Sequence, residues 1–201
     1  MTGYKLINIS NLVKEMGEDA VKDVLSTFSS PRNVDIEFFL KDKAIEFSKH
    51  GIAATHLVFA SHENETALIG YFALATKYIT VSKKKLSNNM KKRVAKFGTY
   101  NEDMQGYTLA APLIAQLGKN FKDKLNMLIT GDELLKMACD KVKDAQENVG
   151  GRLVYVECED TPALISFYES NGFVNFGKRE LDKEEALQIQ GKYLIQLIKY
   201  L

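Results

Sequence analysis

An α+β domain is the fold class that the sequence predicts, and three observations predict it. Apolar residues recur at helical spacing through most of residues 10–50. Two strand-like runs between Ala54 and Val81 are joined by a connection too short for a helical crossover, so they pair antiparallel. From Leu109 onward, strand and helix patterns alternate to the end of the chain.

Taken in order, Tyr4–Ile9 alternates apolar and polar residues as an edge strand does. Ser10 is the expected cap of a helix carrying Leu12, Val13 and Met16. Gly17 interrupts that pattern, which resumes from Glu18 to Phe28 with Val21, Val24, Leu25 and Phe28 on one side. Ser29-Ser30-Pro31 breaks the chain. Val34–His50 is a strongly amphipathic helix with Ile36, Phe39, Leu40, Lys43, Ala44 and Phe47 forming a nearly complete apolar stripe, stopped by Gly51. Ala54–Ala60 and Ala67–Val81 are strands about the hairpin turn Glu63-Asn64-Glu65-Thr66.

Ser82–Lys96 carries Lys83, Lys84, Lys85, Lys91, Lys92, Arg93 and Lys96 with no acidic residue. Leu86, Met90 and Val94 recur every four residues, which predicts a short helix. It suits phosphate contact or simply a solvated face over an apolar stripe. Only Phe97 and Tyr100 lie close by as stacking groups. Gly98–Gly106 reads as a polar loop.

The remainder is the organising stretch. An apolar strand from Leu109 to Gly118 is followed by a lysine-containing turn, Lys119–Met127. Leu128–Glu133 then feeds a helix whose apolar face is Leu134, Leu135, Ala138, Val142 and Ala145, ended by Gly150 and Gly151. Leu153–Cys158 is the next strand. Thr161-Pro162 opens a helix with proline in the first turn, and Asn171-Gly172 closes it. Phe173–Phe176 is a short strand, Asp182–Gln190 is polar and weakly helical, and Tyr193–Leu201 alternates as a closing strand. With no repeat or linker, residues 1–201 are expected to form one domain, with 1–32 as an N-terminal strand and helices and 82–106 as a basic insertion.

Of the 201 residues, 45% are hydrophobic and 26% charged, ordinary for a globular chain, and the net charge of +1 favours no class of partner. Cys139 and Cys158 lack metal or redox spacing, and His50, His56 and His62 do not cluster, so no metal is expected. The start of the chain lacks the basic-then-apolar pattern of a signal peptide, and no apolar run reaches membrane-spanning length; a cytoplasmic location without membrane contact is expected.

The chemistry concentrates in 109–173. A helix start preceded by an irregular turn offers unpaired N–H groups and the positive end of the dipole to an anion. Leu128-Ile129-Thr130-Gly131-Asp132-Glu133 is that turn, with Gly131 permitting close approach. An ordinary capped helix has the same pattern. Tyr168-Glu169-Ser170-Asn171-Gly172-Phe173 resembles the closing Tyr-x-x-x-Gly-Phe of the GCN5-related N-acetyltransferases (GNATs). The turn is similar to that family's pyrophosphate loop, Gln/Arg-x-x-Gly-x-Gly/Ala, with Asn126 at the Gln/Arg position, Ile129 at the first glycine and Gly131 at the last, a departure at two positions. Asp35–Phe39, Val58–Ala60 and Gly70-Tyr71-Phe72-Ala73-Leu74 further resemble the acetyltransferase toxins of bacterial toxin–antitoxin modules. The likeness spans residues 33 to 176.

The resemblance implies a mixed, mostly antiparallel sheet with helices on both faces. It also implies a splayed strand pair, Ala115–Lys119 against Val154–Glu157, that holds acetyl-CoA. Cofactor contacts then fall to Leu117, Gly118, Lys119, Asn126, Leu128, Ile129, Thr130, Gly131, Asp132, Glu133, Thr161 (in place of the frequent asparagine) and Phe167. Tyr168 would protonate the departing thiolate, a task a neutral phenol suits; without its context it reads as an aromatic packed on the sheet. Glu157 and Glu159 are candidate bases, or ordinary strand-end acids, and Cys158 is a structural thiol near the acceptor cleft. Three functions stay open: acetyl transfer to the amino group of charged tRNA, transfer to a small amine or protein N-terminus, and a non-catalytic CoA- or partner-binding module. A homodimer and an antitoxin partner accompany the toxin resemblance.

Overall fold

The computed structural model describes residues 3–181 and 192–201; the polar stretch Asp182–Gln190 lies outside the described residues. Two compact units divide the chain. The first comprises Met1–Ala75 and Ala115–Ala138, the second Thr76–Ile114 and Cys139–Leu201.

In the first unit, β1 (Lys5–Asn8) pairs antiparallel with β2 (Ala54–His62), and β2 with β3 (Glu65–Ser82). The β2–β3 turn is tighter than predicted. Glu63 and Asn64 alone form it, at φ 52° and 67°, the positive pair that a two-residue hairpin requires, and Glu65 and Thr66 already belong to the ladder. Helix α1 (Ile9–Met16) is capped by Asn8, whose side chain accepts the Ser10 N–H, rather than by Ser10 itself. Gly17, at φ 84°, turns the chain into α2 (Glu18–Ser26). The expected helix over Val34–His50 is broken in the middle: α3 (Val34–Phe38) passes through a single π turn at Phe39–Lys43 into α4 (Ala44–Lys49). Ile9, Val21, Leu25, Phe28, Leu40, Leu57 and Tyr71, each at most 1% exposed, form the core between these helices and strands.

In the second unit, β4 (Thr99–Asn101) forms a hairpin with β5 (Gly106–Lys119), with Asn101 opposite Gly106, so part of the predicted polar loop is strand. A Cβ at Gly106 would lie 2.8 Å from the Val81 carbonyl oxygen, so a side chain there would force β3 and β5 apart. Between β3 and β4, a helical turn at Lys83–Lys85 leads to α5 (Asn88–Val94), capped by Ser87. Leu86, Met90 and Val94 are buried as their four-residue spacing demands. β6 (Leu153–Glu159) pairs with β8 (Tyr193–Tyr200) and β8 with β7 (Val174–Glu180), both antiparallel. The hydrogen-bonded strand order is β1-β2-β3-β5-β6-β8-β7. β5 to β6 is its parallel step. Helix α6 (Gly131–Val149) buries Leu134, Leu135, Ala138 and Val142; Ala145 is exposed, and Gln146 takes the buried place by donating to the Leu153 carbonyl. Helix α7 (Pro162–Ser170) follows β6.

Candidate active site

The parallel ladder between β5 and β6 consists of the partner pairs Leu113↔Tyr155 and Ile114↔Val156. It ends there although β5 continues to Lys119 and β6 to Glu159. The peptide groups of Ala115–Lys119 on the β6 side of β5 therefore lie beyond the ladder. Backbone donors and acceptors in that state bind an extended, amide-bearing ligand as a strand would be bound.

Beyond β5 the chain makes a tight, internally bonded turn. Asn120 has no exposed surface. Its Oδ1 accepts the N–H groups of Ser29 and Lys122, while its Nδ2 donates to the carbonyls of Thr27 and Leu68. One side chain thus ties the end of β5 to β3, to the end of α2 and to the turn. Asp123 and Lys124 then adopt the left-handed conformation, at φ 48° and 62°. Such strained residues persist only where surrounding bonds hold them. Lys119 helps hold them: its Nζ donates at 3.0 Å to the carbonyls of both Asn126 and Ile129. The Ile129 side chain is 2% exposed, which explains how isoleucine occupies a position where glycine was expected. It is turned into the core.

Thr130 and Glu133 close a capping box at the start of α6. The Glu133 carboxylate accepts the Thr130 N–H and hydroxyl, each at 2.8 Å, and Thr130 Oγ1 accepts the Glu133 N–H at 3.1 Å. Tyr4 reinforces it, donating to the Leu128 carbonyl at 3.0 Å and lying 3.2 Å from Glu133 Oε1. The Thr130 amide and hydroxyl bonds hold the Glu133 carboxyl below the usual carboxylate range, and burial followed by the Glu133 charge pushes the Tyr4 phenol up. The spacing Thr130-x-x-Glu133 was the sequence signal for this cap. Its consequence is a carboxylate where a pyrophosphate was expected, with the Lys119 ammonium as the compensating charge nearby.

Leu117, Gly118, Lys119, Asn126, Leu128, Ile129, Thr130, Gly131, Asp132 and Glu133 thus belong to the first unit, the turn being drawn together by Lys119 and Glu133. Thr161, Phe167 and Tyr168 belong to the second. There Thr161 is the exposed residue before α7, without a side-chain capping bond, and Pro162 opens the helix. Tyr168 is the buried residue of α7, 8% exposed, edge-on to Phe167 and Phe173 at 5.0 and 5.7 Å between ring centres. Burial, then the Cys158 and Cys139 thiols, raise its phenol well above its ordinary value, so it carries its proton throughout the neutral range. Burial likewise pushes the Cys158 thiol up to about 11, which keeps it unreactive. Glu157 is not poised as a base. Arg179 donates to both of its carboxylate oxygens at 2.7 to 3.0 Å, and Gln196 adds a bond of 2.8 Å. Among the described residues no group of His, Cys, Asp and Glu could hold a metal ion, and no helix is long and apolar enough to cross a membrane.

No protein-family model and no curated protein sequence matches the chain. Solved structures do. A tyrosine-to-phenylalanine mutant of KacT is similar over 98% of this chain and 95% of its own, at a TM-score of 0.62 and 15% identity. AtaT complexed with acetyl-methionyl-tRNAfMet is similar over 96% and 94%, at a TM-score of 0.62 and 14% identity. A mutant AtaT toxin bound to the C-terminus of the antitoxin AtaR and acetyl-CoA is similar over 98% and 92%, at a TM-score of 0.58 and 14% identity. At these identities the likeness establishes architecture, and the chain has the GNAT fold in the form shared by these toxins.

Proposed function

We propose that this protein transfers the acetyl group of acetyl-CoA to the amino group of an aminoacyl-tRNA. The observation that carries the reading is the end of the β5–β6 ladder at Ile114↔Val156, immediately before the stretch Ala115–Lys119 and its bonded turn. That stretch can pair with the amides of a pantetheine arm, and an N–H of Leu117, Gly118 or Lys119 can polarise a thioester carbonyl. The Lys119 ammonium and the turn's backbone N–H groups would meet the pyrophosphate. Tyr168, fully protonated, would return a proton to the departing sulfur. Similar folds occur in AtaT complexed with acetyl-methionyl-tRNAfMet and in the toxin bound to antitoxin and acetyl-CoA, which supports this acceptor, this donor and a regulatory protein partner.

The basic insertion supports a nucleic-acid acceptor independently. Lys83, Lys84, Lys85, Lys92 and Lys96 are exposed. Tyr100 and Phe97 are each 38% exposed beside them, and Lys83 lies 5.5 Å from the Tyr100 ring centre. Cations with accessible rings suit phosphates next to unstacked bases. Transfer of labelled acetyl from acetyl-CoA to charged tRNA, with uncharged tRNA as control, tests the reading. Label on charged tRNA alone is expected; label on neither, with small amines or peptides labelled instead, moves the acceptor to those classes. The Glu133 carboxylate on the Thr130 N–H favours a second reading, a module of this fold that binds CoA weakly or not at all. Calorimetry with acetyl-CoA separates the two, since the first predicts tight saturable binding and the second only weak binding or none.

A further inference from the structure

We propose that Asp35 binds the nucleophilic amine of the acceptor and takes up its proton, with Gln116 as the residue that positions the carboxylate. The proposal rests on the acetyl-transfer reading above and names a group for a step that reading leaves without one.

The geometry begins with a glycine. Gly118 lies on β5, and a Cβ there would sit 2.3 Å from Ile36 Cγ2 and 3.2 Å from the Tyr71 ring. Only a residue without a side chain lets α3 approach β5 so closely. The approach is fixed from below by Tyr71, fully buried, whose hydroxyl donates to the Ile36 carbonyl at 2.6 Å. It is fixed at the helix start by Asn33, whose side chain accepts the Ile36 N–H. Residues two apart on a strand share a face, so Gln116 stands on the same face of β5 as Gly118. Its Nε2 reaches Asp35 Oδ2 at 3.0 Å.

Asp35 therefore sits against the stretch of β5 that begins where the ladder to β6 stops. It differs from its neighbours in charge pairing. Glu37, two residues on, is paired with Lys41 and caps the Ser30 N–H, and Glu157 is held by Arg179. Among the described residues Asp35 has no cation partner; its one side-chain bond comes from a neutral amide. A half-buried carboxylate in that state is complementary to an incoming cation or amine. Gln116 holds one oxygen and so aims the other.

In the reaction, the amine nitrogen forms a bond to the acetyl carbon as the carbon–sulfur bond breaks. The excess proton on nitrogen passes to the Asp35 carboxylate and on to water. The sulfur keeps the bond's electron pair and takes the proton assigned to Tyr168.

Asp35→Asn tests this, because it keeps the shape and the Gln116 bond and removes only the charge. The expected result is a fall in kcat/KM for the acceptor of about 100-fold, with the KM for acetyl-CoA unchanged. A binding readout needs no turnover. With CoA in place of acetyl-CoA, the wild type should bind aminoacyl-tRNA about 10-fold more tightly than the hydroxyacyl analogue, a margin in the range for one charge-assisted bond, and Asp35→Asn should bind both alike. Acceptor kinetics within about twofold of wild type (well under 1 kcal/mol), or a retained preference for the amine, overturn the assignment while leaving acetyl transfer itself intact. Should Asp35→Asn fail to fold, Gln116→Leu keeps the carboxylate and should cost about 10-fold in acceptor KM; no change there overturns the assignment equally. A wild type that binds acetyl-CoA but acetylates no amine overturns both this inference and the reading beneath it.

Discussion

Gly118→Ala is the most economical perturbation of this architecture, since a single methyl group meets three core side chains. Gly118 is not in the left-handed region, so alanine meets no backbone strain there, and loss of chain flexibility alone would stabilise by about 0.4–1 kcal/mol. Space decides otherwise. The new Cβ would fall 2.3 Å from Ile36 Cγ2, 3.2 Å from Tyr71 Cε1 and 3.4 Å from Phe28 Cζ. Ile36 Cγ2 is attached to a β-branched carbon and cannot swing aside without leaving its rotamer. Tyr71 is anchored by its hydroxyl on the Ile36 carbonyl and by ring contacts to Phe28 and Phe39 at 5.3 and 6.3 Å. Relief must come from moving α3 off β5, and overpacking of this kind costs about 1–3 kcal/mol. The net expectation is a loss of about 1–2 kcal/mol, or a fall in Tm of roughly 2–8 °C for a chain of this size. Urea unfolding with an unchanged m-value reads it directly. Ile36→Ala removes the obstructing methyl, so in that background Gly118→Ala should cost much less, a coupling of about 1 kcal/mol or more. Equal stability of Gly118→Ala and wild type, or the same loss in both backgrounds, would refute the close approach of α3 to β5.

Tyr168→Phe should lower turnover by about 100-fold or more while acetyl-CoA affinity stays the same; unchanged turnover removes Tyr168 from the chemistry. Asn120→Ala strands the Ser29 and Lys122 N–H groups and two carbonyls, so a loss of about 3 kcal/mol is expected in chemical unfolding. A near-neutral result would mean that water replaces the amide. Arg179→Met leaves the Glu157 side chain, 9% exposed, without its cation and should cost about 3 kcal/mol, most of it recovered in Arg179→Met/Glu157→Gln. The α6 cap should respond to acid with a definite sign. The Thr130 amide and hydroxyl lower the Glu133 pKa in the folded state. The cap's contribution is therefore full above the unfolded carboxyl value, about 4.3, and is lost as pH falls through the lower folded value. Thr130 amide exchange, corrected for intrinsic rates, should stay slow at pH 5–7 and accelerate only in acid; Glu133→Gln should remove that dependence.

What the sequence disclosed depended on whether a signal was periodic or relational. Helical and alternating patterns located most elements, and the four-residue spacing of Leu86, Met90 and Val94 located α5, because burial of one face is written along the chain itself. The π turn at Phe39–Lys43 was invisible for the same reason: it shifts the phase of an apolar stripe without erasing it. β4 was hidden because its three residues, Thr99-Tyr100-Asn101, are polar, the first two exposed and Asn101 half-buried, and become a strand only through pairing with Gly106–Thr108. Asn120 had no signature, since its importance lies in four backbone groups, three of them contributed by distant segments.

The candidate site divides along the same line. Gly118 was named for cofactor contact, yet its most exacting duty is steric: it admits Ile36 and with it brings Asp35 to Gln116, a relation between residues 81 positions apart. The expected phosphate turn relies on backbone donors rather than on a glycine at position 129, and in the structure the Ile129 side chain is buried, 2% exposed. Thr130-x-x-Glu133 was different, because it stood in plain view as a capping box and bears on the same amide that a pyrophosphate would use. A helix start can satisfy its first N–H groups with its own carboxylate or with a ligand's phosphate, but not both at the same donor. Binding acetyl-CoA here therefore requires either that Glu133 withdraw from Thr130 or that the phosphates use the Lys119 ammonium and the turn before it. Glu133→Gln distinguishes these routes: tighter acetyl-CoA binding identifies displacement of the cap, and unchanged binding places the phosphates on the Lys119 side.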